Sequence, residues 1–292
     1  MTQFESRKYA FAFRAVQVAA VLLFLGRGYE FLVFDAPFRT LLWDEDWMRP
    51  VVEAFGGDWT TYVRSPRTDA NITTAVRIFG VLYIMCAVVA LFVRRVGRVG
   101  AKLLWLGAAG LLFLAVLFWK EKFFAYGQLL EYALQVGTPL LLHRLTYGSG
   151  WTERTVLVTK TLIALTFICH GLYAVGYYPR PANYLGMVLS AFPLSNDGAR
   201  TFLNVAAYLD FAAAIGLFLP GRGARVALLY CVLWGFLTSF ARIYTNFYPD
   251  FWMETLRQWV HPFLVRTPHF LVPLAVWLIL PEMSKVSKTL NV

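Results

Sequence analysis

Apolar residues run through this chain in long uninterrupted blocks, without the alternation of a half-buried strand or the single apolar stripe of a soluble helix. Eight blocks reach or approach the roughly 20 residues that a helix needs to cross a bilayer core. They lie near 9–29, 76–93, 103–119, 124–142, 157–176, 202–219, 224–243 and 263–280. Only Lys120, Glu121 and Lys122 part the third block from the fourth. The pattern predicts an all-α polytopic membrane protein of about eight transmembrane helices in two tandem four-helix bundles. The first would be 1–145, with a long outer loop at 30–75, and the second 155–281, with 282–292 as a tail. Arg27, Tyr29 and Glu30 follow Leu25 where a signal peptide would carry a small-residue cleavage site, so the first block is expected to stay as an anchor helix.

Composition narrows the class further. The 292 residues are 59% hydrophobic and only 15% charged, well under the roughly 25% charged of soluble domains. Soluble, disordered and disulfide-scaffold classes are thereby excluded. The net charge of +10 comes from basic residues scattered between apolar blocks. With no continuous basic face, nucleic acid is not an expected partner, and the lipid bilayer is.

The basic residues instead orient the chain. Arg94, Arg95, Arg98 and Lys102 fill one hairpin, Arg144 and Arg154 another, and Arg222 and Arg225 a third. All fall on the side of Arg7, Lys8, Lys285 and Lys288, which makes that side and both termini cytoplasmic in a bacterial inner membrane. The opposite segments hold rings among charges: Trp43, Trp47, Trp59 and Tyr62 in 30–75, and Phe251, Trp252 and Trp259 in 249–261. Amphipathic rings favour the headgroup region, so both segments are expected to cap the outer face, where a periplasmic partner protein could dock.

The halves resemble each other. The stretch FLGRGYEFLV from Phe24 lies on FICHGLYAVG from Phe167, pairing Arg27 with His170 and Gly28 with Gly171. Ala90 to Val93 lies on Gly216 to Leu219, and Pro139 corresponds to Pro273. Parallel repeats of this kind pack about an axis along the membrane normal.

Ionisable side chains inside spans mark candidate sites. Asp210 shares a face with Ala206, Ala213 and Ala214, which lets another helix approach. His170 continues a polar stripe of Thr166, Tyr173 and Tyr177, and Glu131 one of Gln128, Gln135 and Thr138. Arg266 and His269 open the eighth block. With the termini inside, these groups gather in the outer half of the membrane around a cavity open to that side. His170 and Asp210 are the candidate proton-handling, catalytic pair, with His269, Arg266, Tyr173 and Glu131 around a bound head group. Such a set could move protons to and from a quinone, because quinone reduction couples electrons to protons and imidazole titrates in the useful range. The plain alternative is that His170 and Asp210 hydrogen-bond to one another or to Tyr and only fix helix packing. A haem between His170 and His269 is the lesser cofactor option. No P-loop, GxSxG or HExxH motif occurs, and Cys86, Cys169 and Cys231 lie singly in apolar blocks without metal-site spacing.

The run KTLIALTFICHGLYAVG, and then YLDFAAAIGLFLPGRGARVALL after a Pro-containing loop, resembles the DoxX-like family of bacterial membrane proteins. The resemblance covers about 155–281 and makes the first half a degenerate copy with Arg27 at the histidine position. Asp210 stands where the family more often has Glu. The resemblance implies a four-helix inner-membrane bundle serving redox systems that reach the quinone pool. The expected function is a quinone-linked membrane subunit. The alternatives are a non-catalytic scaffold for a periplasmic enzyme, and a carrier for a small lipid or anionic solute using Arg27, Arg77 or Arg242.

Overall fold

The computed structural model describes residues 3–290, with side chains from Arg7 to Leu280; Lys285 and Lys288 of the expected tail have side chains outside that range. The described chain is all-helical and contains no strand. Its helices are α1 Gln3–Val33, α2 Arg39–Leu42, α3 Glu45–Ala54, α4 Trp59–Arg64, α5 Pro66–Leu91, α6 Gly97–Gly100, α7 Leu103–Glu121 and α8 Tyr126–Glu131. They continue as α9 Ala133–Tyr147, α10 Glu153–Val175, α11 Ala182–Ala191, α12 Asn196–Gly216, α13 Arg222–Tyr244, α14 Trp252–Leu264 and α15 Pro268–Leu290.

Each of the eight apolar blocks is helical, but fewer qualify as spans on length and apolarity. Among the described residues five helices do: Arg7–Val33 within α1, α5, Gly97–Glu121 through α7, α10 and α13. A sixth is reached if α14 with its preceding turn and Pro268–Leu280 of α15, bent by 42°, form one broken span. The shortfall has local causes. The block expected as one helix over 124–142 breaks after Glu131, leaving α9 only 15 residues long. The cap end of α12 carries Asn196, Asp197 and Arg200, which lower its apolarity.

Capping chemistry punctuates the long helices. The Thr152 and Ser195 side chains accept from the amides of Thr155 and Gly198 and so start α10 and α12. Gly176, at φ +88, ends α10 in the left-handed conformation that glycine adopts without steric cost. Asp44, Asp58 and Ser65 cap α3, α4 and α5 in the same way. The 30–75 segment is thus a set of short capped helices over one end of the bundle, here the cap end. Lys120, at the close of α7, pairs with Asp44 and lies 5.5 Å from the Trp47 ring centre, fastening the cap to the bundle.

The helices do not sort into two independent bundles. α1 packs on α5 and along α15, while α10 packs on α12 and along α8 and α9. Likewise α7 packs on α9, and α13 on α15. The closing helix of each half therefore rests on the opening helix of the other, and one continuous core includes Phe24, Tyr83, Leu111, Phe167, Cys231 and Val276. A small second cluster, Val188, Ala199 and Leu203, lies apart under α11.

Candidate functional site

The broken helix places the first site residue. At the break the Leu134 amide finds no carbonyl one turn back and donates instead to Thr166 Oγ1 at 3.3 Å, while that hydroxyl donates to the Glu131 carbonyl at 3.4 Å. Broken helices persist inside membranes where a neighbour re-satisfies the freed backbone groups, and the buried Thr166 of α10 does so here. Glu131 is thereby turned toward α10, where its Oε1 lies 3.2 Å from His170 Nε2.

His170 in turn lies face to face against His269, with ring centres 5.2 Å apart and planes within 10°. Close approach of α13 and α15 fixes this pairing: a Cβ on Gly235 would stand 2.6 Å from the His269 carbonyl oxygen, so only glycine fits. His269 Nδ1 lies 2.9 Å from the Arg266 carbonyl, and its buried Nε2 has no partner. Rings in direct stacking leave no room for a haem between them, so the two histidines do not form an axial pair.

On the other wall Asp210 is 2% exposed, and the Tyr230 hydroxyl donates to its Oδ1 at 2.8 Å. Of the structural alternative, the bond between Asp210 and a tyrosine is present, through Tyr230, whereas His170 pairs with Glu131 and not with Asp210.

His170, Asp210, Arg266 and His269 all line one partly open cavity of about 450 Å³, bordered by α10, α11, α12, α13 and the start of α15. Glu131 stands behind His170, outside the lining, and Tyr173 also lies outside it, packed on the Tyr178 ring at 5.2 Å with its hydroxyl unpartnered. The stripe expected from Thr166 to Tyr177 stops at Tyr173, because α10 ends at Val175 and Tyr177 is exposed.

Arg242 completes the lining and was named from sequence only as a carrier option. It is 8% exposed, its Nε is buried without a partner, and no carboxylate pairs with it. Arg266 holds its own helix through Nη1 to the Pro262 carbonyl at 3.0 Å and also leaves a buried Nε unpartnered. The sequence signal was present: Thr238, four before Arg242 on α13, and Asn246, four after it and just past the helix end, supply no acid for an internal pair.

The remaining candidates lie elsewhere. Arg27 is held by Glu30, Tyr132 and Gln135 outside the cavity lining, Arg77 is exposed, and His143 and His261 pack on Tyr147 and Phe34. Among the described residues no three His, Cys, Asp or Glu side chains gather as a metal site.

No protein-family model, curated protein or solved structure matches this chain.

Proposed function

We propose that this is an eight-span protein of the bacterial inner membrane, with both termini cytoplasmic and a DoxX-like second half, that binds a small amphiphile with an anionic head as its carrier or receptor. One observation supports this reading above the others: two arginines, Arg242 and Arg266, line an otherwise mostly apolar cavity without a carboxylate partner. Enclosing an unpaired cation costs several kcal/mol, and a ligand anion offsets that cost when it binds. Guanidinium groups suit carboxylate and phosphate heads because their N–H groups form a planar fork.

A second reading, the quinone-linked subunit, has its own observation. His269 Nε2 is buried and unpartnered beside His170, with Asp210 on the same cavity wall. A quinone would supply electron chemistry coupled to protons; His269 would hydrogen-bond its head, and Asp210 would exchange a proton with the cavity. A neutral head leaves both arginines without a direct ion-pair partner among the described residues, which places this reading second.

Mass spectrometry of small molecules extracted from gently solubilised protein separates the two. Near-stoichiometric retention of an anionic amphiphile, lost in Arg242→Gln, is the expected result. A quinone retained equally by wild type and Arg242→Gln would install the second reading, and bulk membrane lipid alone would overturn both.

A further inference from the structure

The cavity is charged differently at its two ends. Asp210 is held by Tyr230 of α13, and Arg242 lies 12 residues farther along the same helix. At about 1.5 Å of rise per residue these positions are about 18 Å apart along the helix axis, before side-chain reach is subtracted. His269 falls between them, level with Gly235, and Arg266 lies just beyond it on the Arg242 side. The cations therefore sit toward the cap end and the acid sits deep, with the His170 and His269 stack between.

Asp210 is not satisfied by its neighbours. Its donor, the Tyr230 hydroxyl, comes from α13, as does the nearby Trp234 indole, and no cation among the described residues pairs with it. A carboxylate offers about four acceptor positions, so part of its capacity faces the cavity. His170 has its Nε2 engaged with Glu131, and the hydroxyls of Thr238 and Ser239 donate to carbonyls of their own helix. None of these groups donates to Asp210, so an occupant with a donor at this depth would meet its free side.

Volume sets the remaining limit. About 450 Å³ corresponds to about 15 water-sized volumes at about 30 Å³ each. A single chain with its head fills that space.

We infer that the occupant is a single-chain amphiphile whose carboxylate or phosphate head meets Arg242 and Arg266 and which carries a second polar group, a hydroxyl, part-way along the chain at Asp210. A hydroxyl serves either state of Asp210, donating to the carboxylate or accepting from the carboxylic acid. The inference rests on the anionic-head reading above and adds the second recognition point.

The test is a titration of the full-length protein in mild detergent, followed by calorimetry. The probes are myristate, tetradecyl phosphate, tetradecanol, and hydroxymyristates with the hydroxyl either beside the carboxylate or mid-chain. Myristate or the alkyl phosphate should bind better than the neutral alcohol, and whichever of the two binds more tightly identifies the head. The mid-chain hydroxyl should tighten binding about tenfold over myristate, the effect of one hydrogen bond to a charged group. The hydroxyl beside the carboxylate should give no such gain, and Asp210→Ala should remove the mid-chain gain. Equal affinity for myristate and the mid-chain hydroxymyristate would overturn the second recognition point while leaving the anionic-head reading intact. No preference for either anion over tetradecanol would overturn both. Should Asp210→Ala fail to fold, the hydroxyl-position series on the wild-type protein decides alone.

Discussion

Arg27 and Arg242 are both buried, 4% and 8% exposed, yet the chain treats them in opposite ways. Around Arg27 both terminal nitrogens are answered, and only the buried Nε lacks a partner. Nη1 donates to Glu30 at 2.7 Å, Nη2 donates to Tyr132 at 2.9 Å and Gln135 at 2.8 Å, and the Tyr132 ring lies against the cation. Around Arg242 no side chain among the described residues answers; the cavity does. The charge costs a similar amount to bury in either place, so the difference lies in who supplies the counter-group. A knot satisfied from within holds helices together, whereas an unsatisfied cation reserves a place for something from outside.

The sharpest way to break this comparison is to remove each arginine in turn. Arg27→Ala leaves Glu30, Tyr132 and Gln135 facing an empty space, and should cost about 3–5 kcal/mol, the range for removing one partner of a buried pair. Arg242→Ala should cost under about 1 kcal/mol, because it removes no hydrogen bond and relieves a buried charge. Thermal unfolding of both variants in one detergent decides it: equal losses would show that Arg242 is a structural residue like Arg27.

A smaller effect probes how each half positions its polar group. Thr166→Val keeps the shape of α10 but strips the hydroxyl that bridges the break between α8 and α9. The orphaned Leu134 amide should cost about 1–3 kcal/mol. Glu131 should lose its hold on His170, while the Arg27 knot stays intact. Histidine NMR signals that do not move in this variant would show that the break is not what aims Glu131. Gly235→Ala acts from the opposite side, driving a methyl against the His269 carbonyl at an overpacking cost of about 1–3 kcal/mol. Ligand binding should fall with it, and unchanged binding would detach the α13 and α15 contact from the site.

The smallest expected effect lies in the cap, away from both arginines. A hydrogen bond from Lys120 holds the Asp44 carboxyl below the ordinary aspartate range, and the Trp47 amide adds to this. A depressed carboxylate contributes stability above its unfolded-state pKa and loses it as pH falls through its folded value. Trp47 fluorescence should therefore report cap loosening only in the acid range below the usual aspartate pKa, and Lys120→Met should move that transition to higher pH. A transition unmoved by Lys120→Met would remove the Lys120 contact as its cause.

Much of the site was legible because membrane burial makes polar residues conspicuous. His170, Asp210, Arg266 and His269 stood out against apolar blocks, and all line the cavity. The pairing was not legible. His170 binds Glu131 from another half of the chain, 39 residues earlier, and spacing along one helix carries no information about which face of a second helix arrives opposite it. The Glu131 and Gln135 stripe was read as one seam, yet the break after Glu131 splits it, sending Glu131 to His170 and Gln135 to Arg27. Tyr173 was drawn in by a helical period that α10 follows to its end, but its side chain falls outside the lining.

Hydrophobic periodicity and composition alone determined that the chain is helical and apolar enough for a membrane, because burying backbone in lipid demands internally bonded helices and long apolar runs. They also marked which polar residues were too costly to be incidental. Which of those residues meet was decided by tertiary structure: the Thr166 bridge over the broken helix, the Gly235 approach that stacks two histidines, and the crossing of each half's last helix onto the other's first. Those contacts join residues far apart in the chain, and their energies depend on packing across helices, to which the order of residues along any one helix is blind.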